Sequence, residues 1–281
     1  MINFDSLSLK ALYNEIEPTL TAGRVQKVQQ PSRKELLLTI RSQGKSHKLY
    51  ISIDPKFPHM AVLSSKGEAY RCIEIPQKPP MFTMLLRKHM EGAKIREVRQ
   101  PEHERIFEIY FDSYNELGER TPLVLAIELM GKHSNIILYN YDTNVILGSA
   151  HSVGSEKSRE REVAGGLPYI YPPKAQKQDL LETSPEQFYN LAKAIFDPFD
   201  VWINKQFYDI SRPLASEICE FLGISVSRDN VNAIEQEKIF QFYELARKIL
   251  TFEILNPSIS LDNKYFSLAA INKNIGWQRC V

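Results

Sequence analysis

Residues 82–111, FTMLLRKHMEGAKIREVRQPEHERIFEIYF, and residues 122–138, PLVLAIELMGKHSNIIL, decide how this chain folds. The first stretch opens as a helix over Met81–Glu91, with Arg87, Lys88 and His89 at polar positions and Gly92 after it. Two strands follow, Lys94–Gln100 and Arg105–Phe111, the second with Phe107, Ile109 and Phe111 facing one way. Leu123–Met130, Asn135–Tyr139 and Val145–Ala150 read as three more strands. Their connections are of hairpin length, too short for βαβ crossovers, so the sheets are expected to be antiparallel.

Towards the N-terminus, Asp5 is placed to cap a helix over residues 6–21, with Leu12, Ile16 and Leu20 at helical spacing and Gly23 behind it. Residues 24–54 read as β structure, since Leu36, Leu38 and Ile40 alternate, as do Leu49, Ile51 and Ile53. Arg24, Lys27, Arg33, Lys34, Arg41, Lys45 and Lys48 share this span with Glu35. Two readings are open: a half-exposed sheet whose edges lysine blunts, or a groove lined for phosphates.

Towards the C-terminus, Ser152–Lys177 is rich in glycine, proline and charge and reads as a loop and linker. Helical spacing then runs from Ser184 to Leu255, with helices beginning at Pro185, spanning Arg212–Leu222 and spanning about 232–254. After Pro257 a short strand, Tyr265–Ile271, looks like the beginning of a further region. The expected fold class is α+β: an antiparallel β-sandwich with flanking helices over 1–175, a small helical domain over 176–256, and the start of a following region over 257–281.

A length of 281 residues, with 43% hydrophobic and 25% charged, suits a folded chain that can bury a core. No apolar run approaches the roughly 20 residues of a membrane span. MINFDSLSLK lacks the basic and apolar regions of a signal peptide, which predicts a cytoplasmic protein. Cys72, Cys219 and Cys280 are too few and scattered for a disulfide framework or a zinc knuckle. The net charge of +1 is uneven: residues 1–178 carry 25 Lys/Arg against 20 Asp/Glu, and residues 179–256 carry 7 against 13. A polyanion partner for the first part is compatible with this, though strongly basic domains go much further.

Chemistry-bearing motifs are sparse. No phosphate-cradling glycine loop, GxSxG elbow or HExxH pair is present. His89, His103 and His133 have no partners at metal-ligand spacing. Glu104-Arg105 reads either as a surface pair or as a contact for a ligand or RNA, with acid catalysis a remote third. Glu128 lies inside LVLAIELM, where a carboxylate is costly unless paired. The turn Gly131–Asn135 brings Lys132, Ser134 and Asn135 close together; such a turn can hold a phosphate or simply join two strands.

At these residues the chain resembles the NFACT family of ribosome quality-control proteins, some of which are also named for fibronectin binding. The matching stretches are FDSLSLKAL (4–12), GRVQKVQQPSRKELLLTIR (23–41), PPMFTMLLRKHMEGAKI (79–95), ELMGKHSNIIL (128–138) and SREREVAGGLPYIYPP (158–173). SRPLASEICEFLGI (211–224) is similar to the family's helix-hairpin-helix region, while its long coiled coil and C-terminal domain are absent from these residues. The resemblance implies a cytoplasmic protein that binds the obstructed large ribosomal subunit and tRNA, both peptidyl-tRNA and aminoacyl-tRNA. It would thereby direct template-free tailing of stalled chains, with alanyl-tRNA as the bacterial substrate. It implies no cofactor, no metal, no membrane and no catalysis by this part.

The family's Asp-Arg pair falls on Glu104-Arg105, and a second tRNA-engaging motif falls on Glu128, Leu129 and Met130. Arg87, Lys88, Lys132, Ser134 and Asn135 are further candidates for RNA or phosphate contact. Where the family has Pro-Gly near the linker this chain has Ala164-Gly165, and where it has glycine before a helix this chain has Asp209. The fold is also similar to formamidopyrimidine-DNA glycosylases, but the N-terminus Met1-Ile2-Asn3 lacks their nucleophilic proline and no four-cysteine finger exists. A fibronectin adhesin and a DNA-processing enzyme therefore stand as alternatives to the ribosome-rescue reading.

Overall fold

The computed structural model describes residues 4–63, 72–114, 117–156, 161–194, 197–226, 234–262, 266–271 and 276–279. It is an α+β protein with a large antiparallel sheet, and it divides into two compact units, Leu9–Lys174 and Ala175–Val281 with Met1–Ser8.

In the first unit, nine strands form one sheet: β1 Arg24–Gln29, β2 Glu35–Ser42, β3 Lys45–Ser52, β4 His59–Leu63, β5 Lys94–Arg99, β6 Ile106–Tyr114, β7 Arg120–Glu128, β8 Asn135–Asn140 and β9 Ile146–Ser149. Their order is β4-β3-β2-β1-β5-β6-β7-β8-β9, and every pairing is antiparallel. The strands expected as two separate sets are thus joined edge to edge. The joint is β1–β5, where Val25 N donates to Ala93 O at 3.0 Å and Ile95 N to Gly23 O at 2.7 Å.

Helix α1, Ser6–Leu20, starts as its cap predicts: the Asp5 carboxylate accepts from Ser8 N at 2.9 Å and from the Ser8 hydroxyl at 2.7 Å. Gly23 does not end it by turning left-handed, since Ala22 is the residue with φ of 66°. Glycine is needed there for space, because a Cβ would meet Leu20 O at 2.8 Å and the Ile40 side chain at 2.9 Å. Helix α2 spans Met81–Met90 and packs on β1, β6 and β9.

Strand β7 is buried continuously from Pro122 to Glu128, so both of its faces are covered. That is why PLVLAIELM reads as an unbroken apolar run rather than an alternation. In the basic hairpin β2–β3, Lys34 pairs with Asp54 at 2.9 Å, Lys48 donates to Thr39 Oγ1 at 3.2 Å, and Lys27, Arg41 and Lys45 are exposed. Lys27, Arg41 and Lys45 fit the solvated outer face of a sheet, while Arg33, also exposed, lies at the rim of a pocket.

The second unit holds α3 Pro185–Ala192, α4 Phe199–Gln206, α5 Arg212–Leu222 and α6 Gln236–Leu250. Ser184 and Gln187 close a reciprocal capping box at the start of α3. Gly223 stops α5 in the left-handed conformation, φ 64°. Phe188, Phe199, Phe207 and Phe242 form its aromatic core, with Trp202 against three of them. Asp200 is buried and held by Arg212 and Ser216 at 2.8 and 2.9 Å. Helix α4 escapes the sequence reading because its apolar residues, Phe199, Val201, Trp202 and Ile203, crowd into its first five positions and show no helical period. Beyond Pro257 the expected strand is part of a three-stranded sheet, β11 Phe266–Ser267, β10 Ser258–Ser260 and β12 Trp277–Arg279.

Candidate functional site

The register of β6, β7 and β8 sets the polar groups in place. Ile106 lies opposite Glu128, Glu108 opposite Ala126, and Tyr110 opposite Val124. Ala126 in turn faces Ile137, and Val124 faces Tyr139. Directly opposed residues share a face of an antiparallel sheet, so Glu108, Tyr110, Glu128 and Tyr139 all rise from one face. They are buried there together with Val124, Ala126, Ile137, Ile146, Val163 and Tyr169.

The cover comes from the stretch read as a linker. Val153 and Val163 bridge to each other, Val145 bridges to Pro168, and residues 161–171 lie over the sheet. Arg161 grips the Glu128 carboxylate with both of its terminal nitrogens; Nη1 reaches Oε1 at 2.8 Å and also donates to Ile170 O at 2.8 Å. The Tyr169 hydroxyl donates to Glu128 Oε1 at 3.0 Å. Tyr110, Tyr139 and Tyr171 donate to Glu108 at 2.8, 3.3 and 2.5 Å. The rings of Tyr139 and Tyr169 stack at 4.4 Å.

Burial, followed by the charge of Glu108, pushes the Tyr110 hydroxyl up to about 12. Burial likewise raises Tyr139, Tyr169 and Tyr171 well above the ordinary phenol range, with the two carboxylates adding to the shift. Burial alone would lower the Arg161 guanidinium, but the hydrogen bonds and charge of Glu128 outweigh it and the net shift is upward. The carboxylate of Glu128, 0% exposed, is therefore already spoken for by Arg161 and Tyr169. A paired buried carboxylate was one expectation for this residue. Glu108 carries the same sequence signal, an acid inside the apolar run IFEIYF, but the alternation of Phe107, Ile109 and Phe111 points to the opposite face of the strand.

At the end of the same strands the polar groups face outward. Leu129 N donates to Arg105 O at 2.8 Å, so Glu104-Arg105 and Glu128–Met130 are neighbours across the β6–β7 ladder. Glu104, Arg105 and Met130 are half-buried, while Leu129 is in the core. A short 3-10 turn, Gly131–His133, then presents Lys132 and His133 to solvent. Ser134 and Asn135 do not share that exposure. Ser134 Oγ accepts from Met130 N at 2.9 Å, and Asn135 bonds to the backbone of His151 at 2.8 and 3.1 Å and of Ile136 at 2.9 Å.

Arg87 and Lys88 lie elsewhere. The carbonyl of His89, next in the helix, accepts from Ser113 Oγ at 2.8 Å. Ser113 is eight residues along β6 from Arg105, roughly 26 Å at about 3.3 Å per residue. Arg87 Nε donates to Val28 O at 3.0 Å, tying α2 to β1, and Lys88 is exposed. Among the described residues no group of three or more His, Cys, Asp or Glu could hold a metal ion. No described helix is long and apolar enough to cross a membrane.

Known proteins match this arrangement along most of the chain. The model of the NFACT N-terminal and middle domains matches residues 5–276. The Rqc2 homolog RqcH of Streptococcus suis is 33% identical over 224 residues, covering 79% of this chain and 39% of the relative. Its Bacillus subtilis counterpart is 32% identical over 80% of this chain and 38% of the relative. The chain thus spans about two fifths of the length of these relatives. Among solved structures, the N-terminal part of the fibronectin/fibrinogen-binding protein from Streptococcus suis superposes with a TM-score of 0.72 at 28% identity, covering 95% of this chain and 90% of that one. The fibrinogen-binding protein from Staphylococcus aureus shares the fold, with a TM-score of 0.75 at 23% identity over 98% of this chain and 94% of that one. With its motifs in order along residues 4–173 and the family's model matching nearly end to end, this chain belongs to the NFACT family, as its N-terminal and middle domains.

Proposed function

We propose that this chain is the tRNA-positioning part of a ribosome-associated quality-control factor, which binds the obstructed large ribosomal subunit and selects aminoacyl-tRNA, alanyl-tRNA in bacteria, for template-free extension of the stalled chain. The observation that supports it is the backbone bond from Leu129 N to Arg105 O, which sets side by side the two motifs that engage tRNA in the family, with Arg105 and Met130 half-buried at that end. Arg105 is the natural phosphate or base contact on that surface, being a fork of fixed donors, with Lys132 beside it as a mobile charge. Glu128 acts there from behind: clamped by Arg161, it fixes the end of β7 and so the placing of Leu129, Met130 and Arg105. The bond-forming chemistry belongs to the ribosome, and this part is a binding module rather than an enzyme, cytoplasmic and without a cofactor.

The glycosylase-like core and the helix-hairpin-helix kinship of the α4–α5 region belong to the same reading. In its favour, Asp209 takes φ of 59° just before α5, where the family keeps glycine. The solved neighbours are described as fibronectin- or fibrinogen-binding, which makes adhesion the competing reading. Co-sedimentation of the full-length protein with large ribosomal subunits, followed by sequencing of the bound tRNA, separates the two. Ribosome and tRNA capture is the expected result. Saturable binding to immobilised fibronectin with no affinity for ribosomes or tRNA would overturn the proposal.

A further inference from the structure

One pocket of the sheet unit holds donors that nothing above employs. It has a volume of about 580 Å³ and lies between the β1–β2 turn, the start of α2 and the chain just after β9. Gln30, Arg33, Phe82, His151 and Ser152 are among its lining residues, and none of the lining residues is a carboxylate.

Helix α2 is ten residues long and opens at Pro80 with no side-chain cap. Its first intrahelical bond runs from Met84 N to Pro80 O, which leaves the amides of Met81, Phe82 and Thr83 without a helical carbonyl. A helix start alone means little; Gln30 is the second observation. It is 4% exposed, and its Oε1 is taken by the Thr83 hydroxyl at 2.6 Å. Among the described residues its amide nitrogen has no hydrogen-bond partner, and Gln30 lines the pocket. Thr83 thus fixes the Gln30 amide at the first turn of α2.

One cation completes the site. Arg33 is exposed at the rim, whereas the neighbouring Lys34 is paired with Asp54. His151 is held below its ordinary pKa by burial first, and then by the nearby charges of Lys34 and Arg33. The wall bearing His151 is rigid, because both His151 backbone groups are bonded to Asn135.

We infer that this pocket binds a phosphate group. The Gln30 amide and the free N–H groups of α2 would take its oxygens, and Arg33 would supply the compensating charge. The shared chemistry is a tetrahedral oxyanion, from free phosphate or from the backbone of a nucleic acid. The site stands on its own geometry, independent of the ribosome reading.

Amide NMR of the folded chain, titrated with inorganic phosphate at constant ionic strength against chloride, tests it. Saturable shifts are expected at the Gln30 side-chain amide and at Phe82 and Thr83, absent with chloride. Arg33→Ala should weaken binding about tenfold, the loss of one charge-assisted contact. Gln30→Glu retains an acceptor for Thr83 but sets a carboxylate in the pocket, and should abolish binding with the remaining spectrum unchanged. Absence of saturable shifts, or undiminished binding in both variants, would overturn the assignment. A short RNA oligonucleotide that displaces phosphate from these resonances identifies a backbone phosphate as the source; RNA that leaves them alone while phosphate still binds identifies free phosphate.

Discussion

The covered face of β6–β8 and the open end of the same strands are both rich in polar side chains, yet they hold them in opposite states. On the covered face, Glu108 and Glu128 are enclosed by four tyrosines and Arg161, and each carboxylate accepts several hydrogen bonds. At the open end, Lys132 and His133 are exposed, and in the pocket beyond β9 the amide nitrogen of Gln30 has no partner among the described residues. Groups of the first kind hold the fold in register, because burying a charge requires that every lone pair be met. Groups of the second kind remain available to a ligand.

The contrast can be broken most directly at Arg161. Arg161→Ala leaves Glu128 buried and uncompensated and should cost about 3–5 kcal/mol, read as a loss in denaturant midpoint. A loss near zero would mean that the clamp is no part of the fold. The tyrosines give a second, pH-dependent handle. Their folded pKa values lie above the unfolded value, so the stability they contribute is full below about pH 10 and is lost as pH rises through the folded value, about 12 for Tyr110. Spectrophotometric titration should show a set of tyrosines ionising only as the chain unfolds, and Tyr110→Phe should flatten the alkaline fall in stability.

Effects at the open end should be smaller and should spare the fold. Arg105→Ala is expected to weaken tRNA binding about tenfold, near 1.4 kcal/mol, with a melting temperature close to that of the parent chain. A large drop in melting temperature would instead place Arg105 with the structural groups. Smallest of all, Lys132→Ala should reduce affinity evenly across tRNAs and lower the slope of log affinity against log salt by about 1. A change confined to one tRNA species would mark Lys132 as a reader of sequence rather than a neutraliser of phosphate.

Legibility followed range. Helices α1, α2, α3, α5 and α6 and most strands were readable because helical and strand periodicities act within a few residues. Glu128 could be recognised as needing a partner, yet Arg161 lies 33 residues away in a stretch whose glycines and prolines resemble a linker. Residues 161–171 of that stretch are the lid of the polar cluster. Helix α4 was hidden because its apolar residues crowd into its first five positions, and Glu108 because the alternation of its strand marks only the opposite face. The opposite placement of Arg87 and Arg105 along β6 could not be read at all.

The sequence by itself therefore determined the α+β class, the antiparallel hairpins, most element boundaries and, through five ordered motifs, the family. Only the tertiary structure decided that the strands join into one sheet through β1 and β5, that Glu128 meets Arg161, and that Gln30 is left with an open donor at the start of α2. Propensity and alternation are set by neighbours along the chain. Pairing of a buried charge depends on which distant segments the register brings together, and that is a property of the packed whole.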